Sequence, residues 1–173
     1  MPSHLPMSWK CKTCGLEHEE LPLCFGFDAP WPMLVPEDEF DRRVELGPDL
    51  CIVDRSKFFI RGHIEIPIID YPDTFCLSVW ASLSESSFQH AQERWKAPDR
   101  GNDSPYHGSL CSAIPVYPDT VHLKLSVQSR PPGLVPLMIV ESGEHPLALD
   151  QHRGITVQHW HELAHCLLHD WLQ

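Results

Sequence analysis

Between Phe75 and Leu83 the odd positions Phe75, Leu77, Val79, Ala81 and Leu83 are all apolar. Side chains on a strand alternate between its two faces, so this run predicts a β-strand with one face covered by a core. The same period recurs at Val121, Leu123, Leu125 and Val127, set against His122, Lys124, Ser126 and Gln128. Ile64, Ile66 and Ile68 alternate with His63, Glu65 and Pro67, and the missing N–H of Pro67 predicts an edge or a bulge. Leu50 to Val53 and Phe58 to Ile60 flank the turn-rich joint Asp54-Arg55-Ser56-Lys57, the pattern of a hairpin. A last apolar stretch, Leu134 to Val140, is interrupted by Pro136.

Helix signals are fewer. Pro2, Pro6, Pro22, Pro30, Pro32, Pro36 and Pro48 punctuate residues 1–48 and leave room only for a short helix from Pro36 to Glu45. Ser84 can cap a helix reaching about Lys96, with Leu83 and Phe88 as a hydrophobic staple. Thr156 can cap a C-terminal helix, with Ile155 and Trp160 in the same relation. Residues 97–105 and 129–133 read as loops. The expectation is a single α+β domain over 1–173, an antiparallel sheet with two or three packed helices. Residues 49–173 carry the sheet and helices, and 1–48 form an irregular N-terminal part with a zinc-knuckle-like segment.

A chain of 173 residues can bury a core without covalent staples. No apolar run reaches the length of a membrane span, and Met1 to Lys10 lacks a secretory apolar stretch, so the expected place is the cytoplasm. Twenty-four acidic residues against thirteen basic ones leave a formal charge of −11. That surface repels phosphates on average, which argues against nucleic acid and favours a basic protein partner.

The seven cysteines are an odd number, and a reducing compartment argues against disulfides. Most are then expected as small buried residues. Cys11 and Cys14 are the exception: Trp9-Lys10-Cys11-Lys12-Thr13-Cys14-Gly15 has the form of half a zinc site, with both thiolates on one side of a tight turn. His18, Cys24 and Cys51 are available to complete it. His18 lies four residues beyond Cys14 and Cys51 starts a strand that can pass beneath, so Cys11, Cys14, His18 and Cys51 are the expected ligands of one structural zinc ion.

His161-Glu162-Leu163-Ala164-His165 matches the zincin pattern, in which two histidines hold zinc and the glutamate activates water. Helical geometry opposes that use. At about 100° per residue, Leu163, Ala164, Leu167, Leu168 and Trp171 gather around Trp160, leaving His161, His165 and His169 on the flank and far side. Leu168 and Trp171 also stand where the longer metzincin pattern needs glycine and histidine. A solvated helix face is the expectation.

Short motifs recur in a telling order: Trp9 to His18, Asp49 to Asp54, Phe58 to Pro67, Val79 to Phe88, Pro105 to Gly108, His145 to Gln151 and Gly154 to Thr156. Over nearly its whole length the chain resembles the mostly bacterial family catalogued as domain of unknown function 2199. The resemblance supplies no activity, but it draws attention to Arg61, Gly62, Glu65, Tyr106, Gly108, His145 and Gln151. Arg61, His63 and Glu65 fall on one strand face and can frame a polar patch, or Arg61 and Glu65 can pair to brace the sheet. Arg61, Glu65, Tyr106 and His145 are the candidate binding residues, and His145 before Pro146 also reads as a helix entrance.

No nucleophile constellation emerges, so no catalytic residue is assigned. The expected function is a non-enzymatic, acidic protein-binding module, in its most concrete form an immunity-type protein that neutralises a basic toxin or effector. The competing class is an enzyme: a metal-dependent hydrolase, or one using Arg61, Glu65 and His145 or the segment His161, Glu162 and His165. A housekeeping structural module is a third.

Overall fold

The alternating strands do not form one antiparallel sheet; they close on themselves. The computed structural model describes residues 9–10, 17–18, 22–141 and 143–170. A two-stranded ladder, β1 (Trp9–Lys10) with β2 (Glu17–His18), precedes β3 (Cys24–Gly26). A 3-10 turn at Trp31–Met33 comes next, and a second, Glu37–Glu39, with α1 (Phe40–Arg43) occupies the expected short helical stretch, which ends as β4 (Val44–Leu46) begins. Then follow β5 (Leu50–Val53), β6 (Lys57–Pro67), β7 (Thr74–Leu83), α2 (Glu85–Glu93), β8 (Tyr106–Leu110), β9 (Lys124–Gln128) and β10 (Leu137–Val140). Helices α3 (Pro146–Arg153) and α4 (Val157–Asp170) complete the described chain, an α+β fold.

Strands β6, β7, β8, β9 and β10 form a ring, because β10 pairs with β9 on one side and with β6 on the other. The closing pair is parallel, and so is the pairing of β3 with β7, which makes the barrel and its additions a mixed sheet. Period-two patterning reports a covered face; it is blind to strand direction and to closure. The long strands β6 and β7 pair along ten registered positions. Each then divides its outer edge between two short neighbours. β6 carries β5 at its start and β10 at His63, while β7 carries β3 near its start and β8 near its end.

Closure demands a close approach. A Cβ on Gly62 would lie 2.6 Å from Met138 Cε and 2.8 Å from Pro136 O, so only glycine lets β10 settle onto β6. Glycine is needed again at Gly108, where a Cβ would come within 2.9 Å of Ser82 O on β7.

The main core fills the barrel and continues under the helices. Ile60, Ile64, Ile66, Phe75, Leu77, Val79, Leu125, Val127 and Met138 meet Phe88 of α2, Leu147 of α3 and Trp160, Leu163 and Leu167 of α4. Full burial of such side chains stabilises by about 1.5–3 kcal/mol each. A second cluster, Ala29, Val35, Val44, Cys51, Val53, Phe59 and Trp80, covers one end of the opposite sheet face. The caps act as the sequence suggests. Ser84 Oγ accepts from Ser87 N at 3.2 Å, Thr156 Oγ1 from His159 N at 3.0 Å, and His145 Nδ1 from Leu147 N at 3.1 Å. Pro67 is the last residue of β6, and its carbonyl accepts from Ile155 N at 2.8 Å. The loops 97–105 and 129–133 are tied together by the buried Arg100, which donates to the carbonyls of Trp95, Arg130 and Leu134 at 2.6–2.8 Å.

Candidate metal site on the outer face of the barrel

The odd residues of β6 and the even residues of β7 point away from the main core. Register then decides which of them meet. His63 stands opposite Ser78, Glu65 opposite Cys76, and Cys76 opposite Cys24 on the far side of β7. Cys24, His63 and Cys76 each offer one ligand atom, and these three atoms lie within 4.8 Å of one another. Among the described residues this is the one group of three or more histidine, cysteine or carboxylate ligands so arranged. Cys24 is exposed, His63 half-buried and Cys76 buried, so the cluster runs from the surface into the sheet.

Two guanidinium groups border it. Arg61 donates to Asp49 Oδ1 at 2.6 Å and to Ser78 Oγ at 2.8 Å, and Arg130 donates to Glu65 Oε1 at 2.9 Å. Burial, then the charges of Arg130 and Arg61, hold the His63 pKa below its ordinary 6.5. Its imidazole is therefore neutral at pH 7 and has a lone pair to give. Burial, followed by the adjacent Cys24 thiol, pushes the Cys76 thiol far upward. A cation that takes this sulfur must displace its proton, so binding there weakens as pH falls.

The donor set suits zinc. Thiolates and imidazole are its usual ligands, and bonds of about 2.3 Å to sulfur place two tetrahedral thiolates about 3.8 Å apart. Donors already within 4.8 Å need only small side-chain rotations to reach that spacing. Three donors leave one position of a tetrahedron for a fourth ligand.

The residues expected from the sequence fall in different places. Cys11 and Cys14 lie outside the described residues, and His18 is described only by its backbone, opposite Trp9. Cys51 is fully buried in the second cluster, and burial raises its thiol to about 11. Of the five described cysteines only Cys51 and Cys76 are buried, fewer than expected. Arg61 and Glu65 do share a face with His63 but do not pair with each other; each has its own partner, Asp49 and Arg130. Tyr106 is buried in the main core with its hydroxyl 2.8 Å from His90 Nδ1. His145 caps α3, and its Nε2 meets the carbonyl of Pro118. The four candidate binding residues are thus not gathered into one site.

The family model described as an uncharacterized protein conserved in bacteria, DUF2199, matches residues 10–155. The chain belongs to this family. No match to a curated protein or to a solved structure was found.

The fold gives Gly62, Gly108 and Gln151 structural roles. Both glycines sit at crowded strand contacts, as described above. Gln151 Oε1 accepts from Val140 N at 2.9 Å while its Nε2 donates to Met138 O at 2.8 Å. One side-chain amide thereby replaces the backbone partner that β10 lacks where β6 has diverged.

The H-E-L-A-H segment lies beyond the matched residues, on α4. Trp160, Leu163, Ala164 and Leu167 are buried as the helical phase requires, and Glu162 is exposed. His159, between Asp150 and Glu162 at 3.3 and 3.6 Å, ties α4 to α3. His161 departs from the expected solvated row. It is half-buried against the Trp160 ring, and its Nε2 is buried without a hydrogen-bond partner among the described residues.

Missing from the expected ligands were His63 and Cys76. Both carried a signal, since each is a polar or soft residue on the uncovered face of an alternating strand. What could not be read was that β6 and β7 pair in the register that brings them together, with β3 on the other edge.

Proposed function

We propose that this chain is a metal-stabilised, non-enzymatic protein-binding module. In this reading Cys24, His63 and Cys76 hold one structural zinc ion that fastens the edge strand β3 to the barrel. The observation that carries it is the convergence of two sulfurs and a neutral imidazole from three neighbouring strands within 4.8 Å. An edge strand of three residues has few backbone bonds of its own, and a shared metal is an effective tether for it.

The binding role rests on the charge of −11 and on the way the polar groups are used. Glu65, Arg61, Tyr106 and His145 are each engaged by structural partners, so none is poised as a general acid or base. An acidic surface of this kind accelerates encounter with a basic partner, such as a toxin or effector neutralised in the cytoplasm by an immunity-type protein. No helix of the described residues is long and apolar enough to cross a membrane.

One observation favours a second reading, a metal-dependent hydrolase. The three-donor set has an open fourth position, and Glu65 stands opposite Cys76 beside a groove of about 360 Å³ lined by Thr74, Leu137, Ile139 and His152. Against it, the Glu65 carboxylate is tied to Arg130 at 2.9 Å and is not free to take a proton from a bound water.

Elemental analysis of protein purified without added metal tests the first reading. One zinc per chain, lost on Cys76→Ser or His63→Ala, supports it; a metal-free wild-type protein that folds normally defeats it. The binding role is tested by capture from the native host. A stoichiometric basic partner whose association rate falls with salt supports it, and the absence of any stable partner overturns it. Glu65→Gln separates the two readings: a hydrolase loses turnover, whereas a binding module keeps zinc and partner.

A further inference from the structure

Cys24 and Cys76 are more than two donors of a metal site. They face each other directly, in register, on the adjacent parallel strands β3 and β7. Neighbouring strands lie about 4.8 Å apart, inside the span of about 4.4–6.8 Å that Cα atoms adopt across a disulfide. Their sulfurs belong to the group within 4.8 Å, and both are free thiols. Exposure is divided between them: Cys24 is open to solvent, while Cys76 is only 9% exposed. That division suits a two-step oxidation in which an accessible sulfur meets the oxidant and a sheltered one resolves it. His63, the third member, places its imidazole beside both sulfurs. The other described cysteines are placed differently: Cys51 is enclosed in the second cluster, Cys111 donates to Ser109 O, and Cys166 lies on α4.

We propose that Cys24 and Cys76 form a reversible disulfide in response to hydroperoxides, and that this disulfide and zinc compete for the same two sulfurs. In the first step the Cys24 thiolate attacks a peroxide oxygen. The O–O bond breaks, Cys24 becomes a sulfenic acid, and the departing oxygen takes up the proton that the Cys24 thiol gave up, leaving as water, or as an alcohol from an organic peroxide. In the second step the Cys76 sulfur attacks the Cys24 sulfur as its proton passes to the sulfenic hydroxyl. The S–S bond forms, the S–O bond breaks, and the hydroxyl leaves as water with the Cys76 proton. Two thiols and one hydrogen peroxide thus give one disulfide and two waters, a two-electron oxidation of the protein. A disulfide offers no thiolates, so only His63 would remain for the metal, and zinc leaves. Conversely, bound zinc shields both sulfurs. The competition rests on the metal reading above; the disulfide does not, and it is measured without metal.

The test uses the full chain, reduced, stripped of metal with a chelator and treated with a stoichiometric amount of hydrogen peroxide. Peptide mapping by mass spectrometry under non-reducing conditions should find the Cys24 and Cys76 peptides cross-linked, two hydrogens lighter, and released by dithiothreitol. Cys76→Ser should instead leave a Cys24 sulfenic acid that dimedone traps. Protein unfolded in guanidinium before oxidation should lose the preference for this pair, which shows that the fold directs it. Loading with zinc first should slow cross-linking by about tenfold or more, and oxidation of loaded protein should release the metal in step with the disulfide. Absence of the Cys24–Cys76 cross-link, or pairing of Cys24 with another cysteine instead, overturns the proposal. A cross-link formed at the same rate in a protein that never takes up zinc upholds the redox pair and defeats the metal reading, so the two failures are told apart.

Discussion

Leu137 stands opposite His63 as the register partner through which β10 closes the barrel onto β6. The backbone of His63 completes that closure, its N–H donating to Pro136 O at 2.9 Å, while its side chain reaches out of the barrel to the Cys24 and Cys76 sulfurs. The same residue therefore joins the ring of strands to the candidate metal site. Disturbance of either should be felt by the other.

Gly62→Ala tests the closure. The new Cβ would collide with Met138 Cε and Pro136 O, and the second is backbone that cannot step aside without lifting β10. Overpacking of this kind costs about 1–3 kcal/mol. The urea midpoint should fall, and zinc content should fall with it because His63 is the adjacent residue. An unchanged midpoint would show that β10 is not seated as described.

Gln151 tests the same edge from the helix side. Gln151→Glu keeps the acceptor for Val140 N but puts a second oxygen against Met138 O, where the amide now donates. A lost hydrogen bond and an unpaired buried carbonyl cost about 1–3 kcal/mol. Loss should exceed that of Gln151→Ala only at neutral pH and should shrink on acidification, when a protonated carboxyl can donate again. Denaturant titrations of both variants at pH 7 and pH 4 read the difference.

The zinc ligands are separable by substitution. Cys24→Ser, His63→Ala and Cys76→Ser should each reduce zinc per chain, whereas Cys51→Ala should leave it near the wild-type value, because Cys51 lies in the second cluster. Zinc held by Cys51 with Cys11, Cys14 and His18 gives the opposite pattern. Chelation should lower the melting temperature of the wild type and not of Cys76→Ser.

His63 also sets a pH dependence. Its folded pKa is held below the ordinary 6.5 by burial and the two neighbouring guanidiniums, so in the intervening window the unfolded chain binds more protons than the folded one. Stability contributed by the neutral imidazole is fully present above pH 6.5 and is lost as pH falls towards the depressed value. His63→Gln should flatten the fall in unfolding free energy between pH 7 and pH 5. A parallel fall in wild type and variant would assign the acid sensitivity to other groups, His161 among them, whose pKa is also lowered by burial.

Much of the fold was legible because burial leaves periodic traces. Phe75 to Leu83, Ile64 to Ile68 and Trp160 to Leu167 show their covered faces in the residue types alone, and Ser84, Thr156 and His145 announce their helices by chemistry that only a cap requires. Direction and closure were not legible. Leu137 opposite His63 is a long-range parallel pairing that no local pattern encodes, and Gly62 betrays it only once β10 is known to lie there. The candidate site suffered the same blindness. Cys11 and Cys14 attract attention because they are near in sequence, whereas Cys24, His63 and Cys76 become neighbours only through strand register.

The α4 segment gives the last test. His161 Nε2 is buried without a partner among the described residues, a cost that an apolar side chain of similar size would not carry. His161→Leu should therefore leave stability unchanged or raise it by about 1 kcal/mol, since the position packs against Trp160. Removing a zinc ligand would do the reverse, by lowering metal content and stability together. Glu162 is exposed and its carboxylate faces His159, so Glu162→Gln should be nearly neutral. Thermal denaturation and zinc content of the two variants decide the matter: raised or unchanged stability with unchanged zinc assigns H-E-L-A-H to the packing of α4, whereas loss of one zinc per chain on His161→Leu would move the metal centre to that helix and make a zinc hydrolase the leading account.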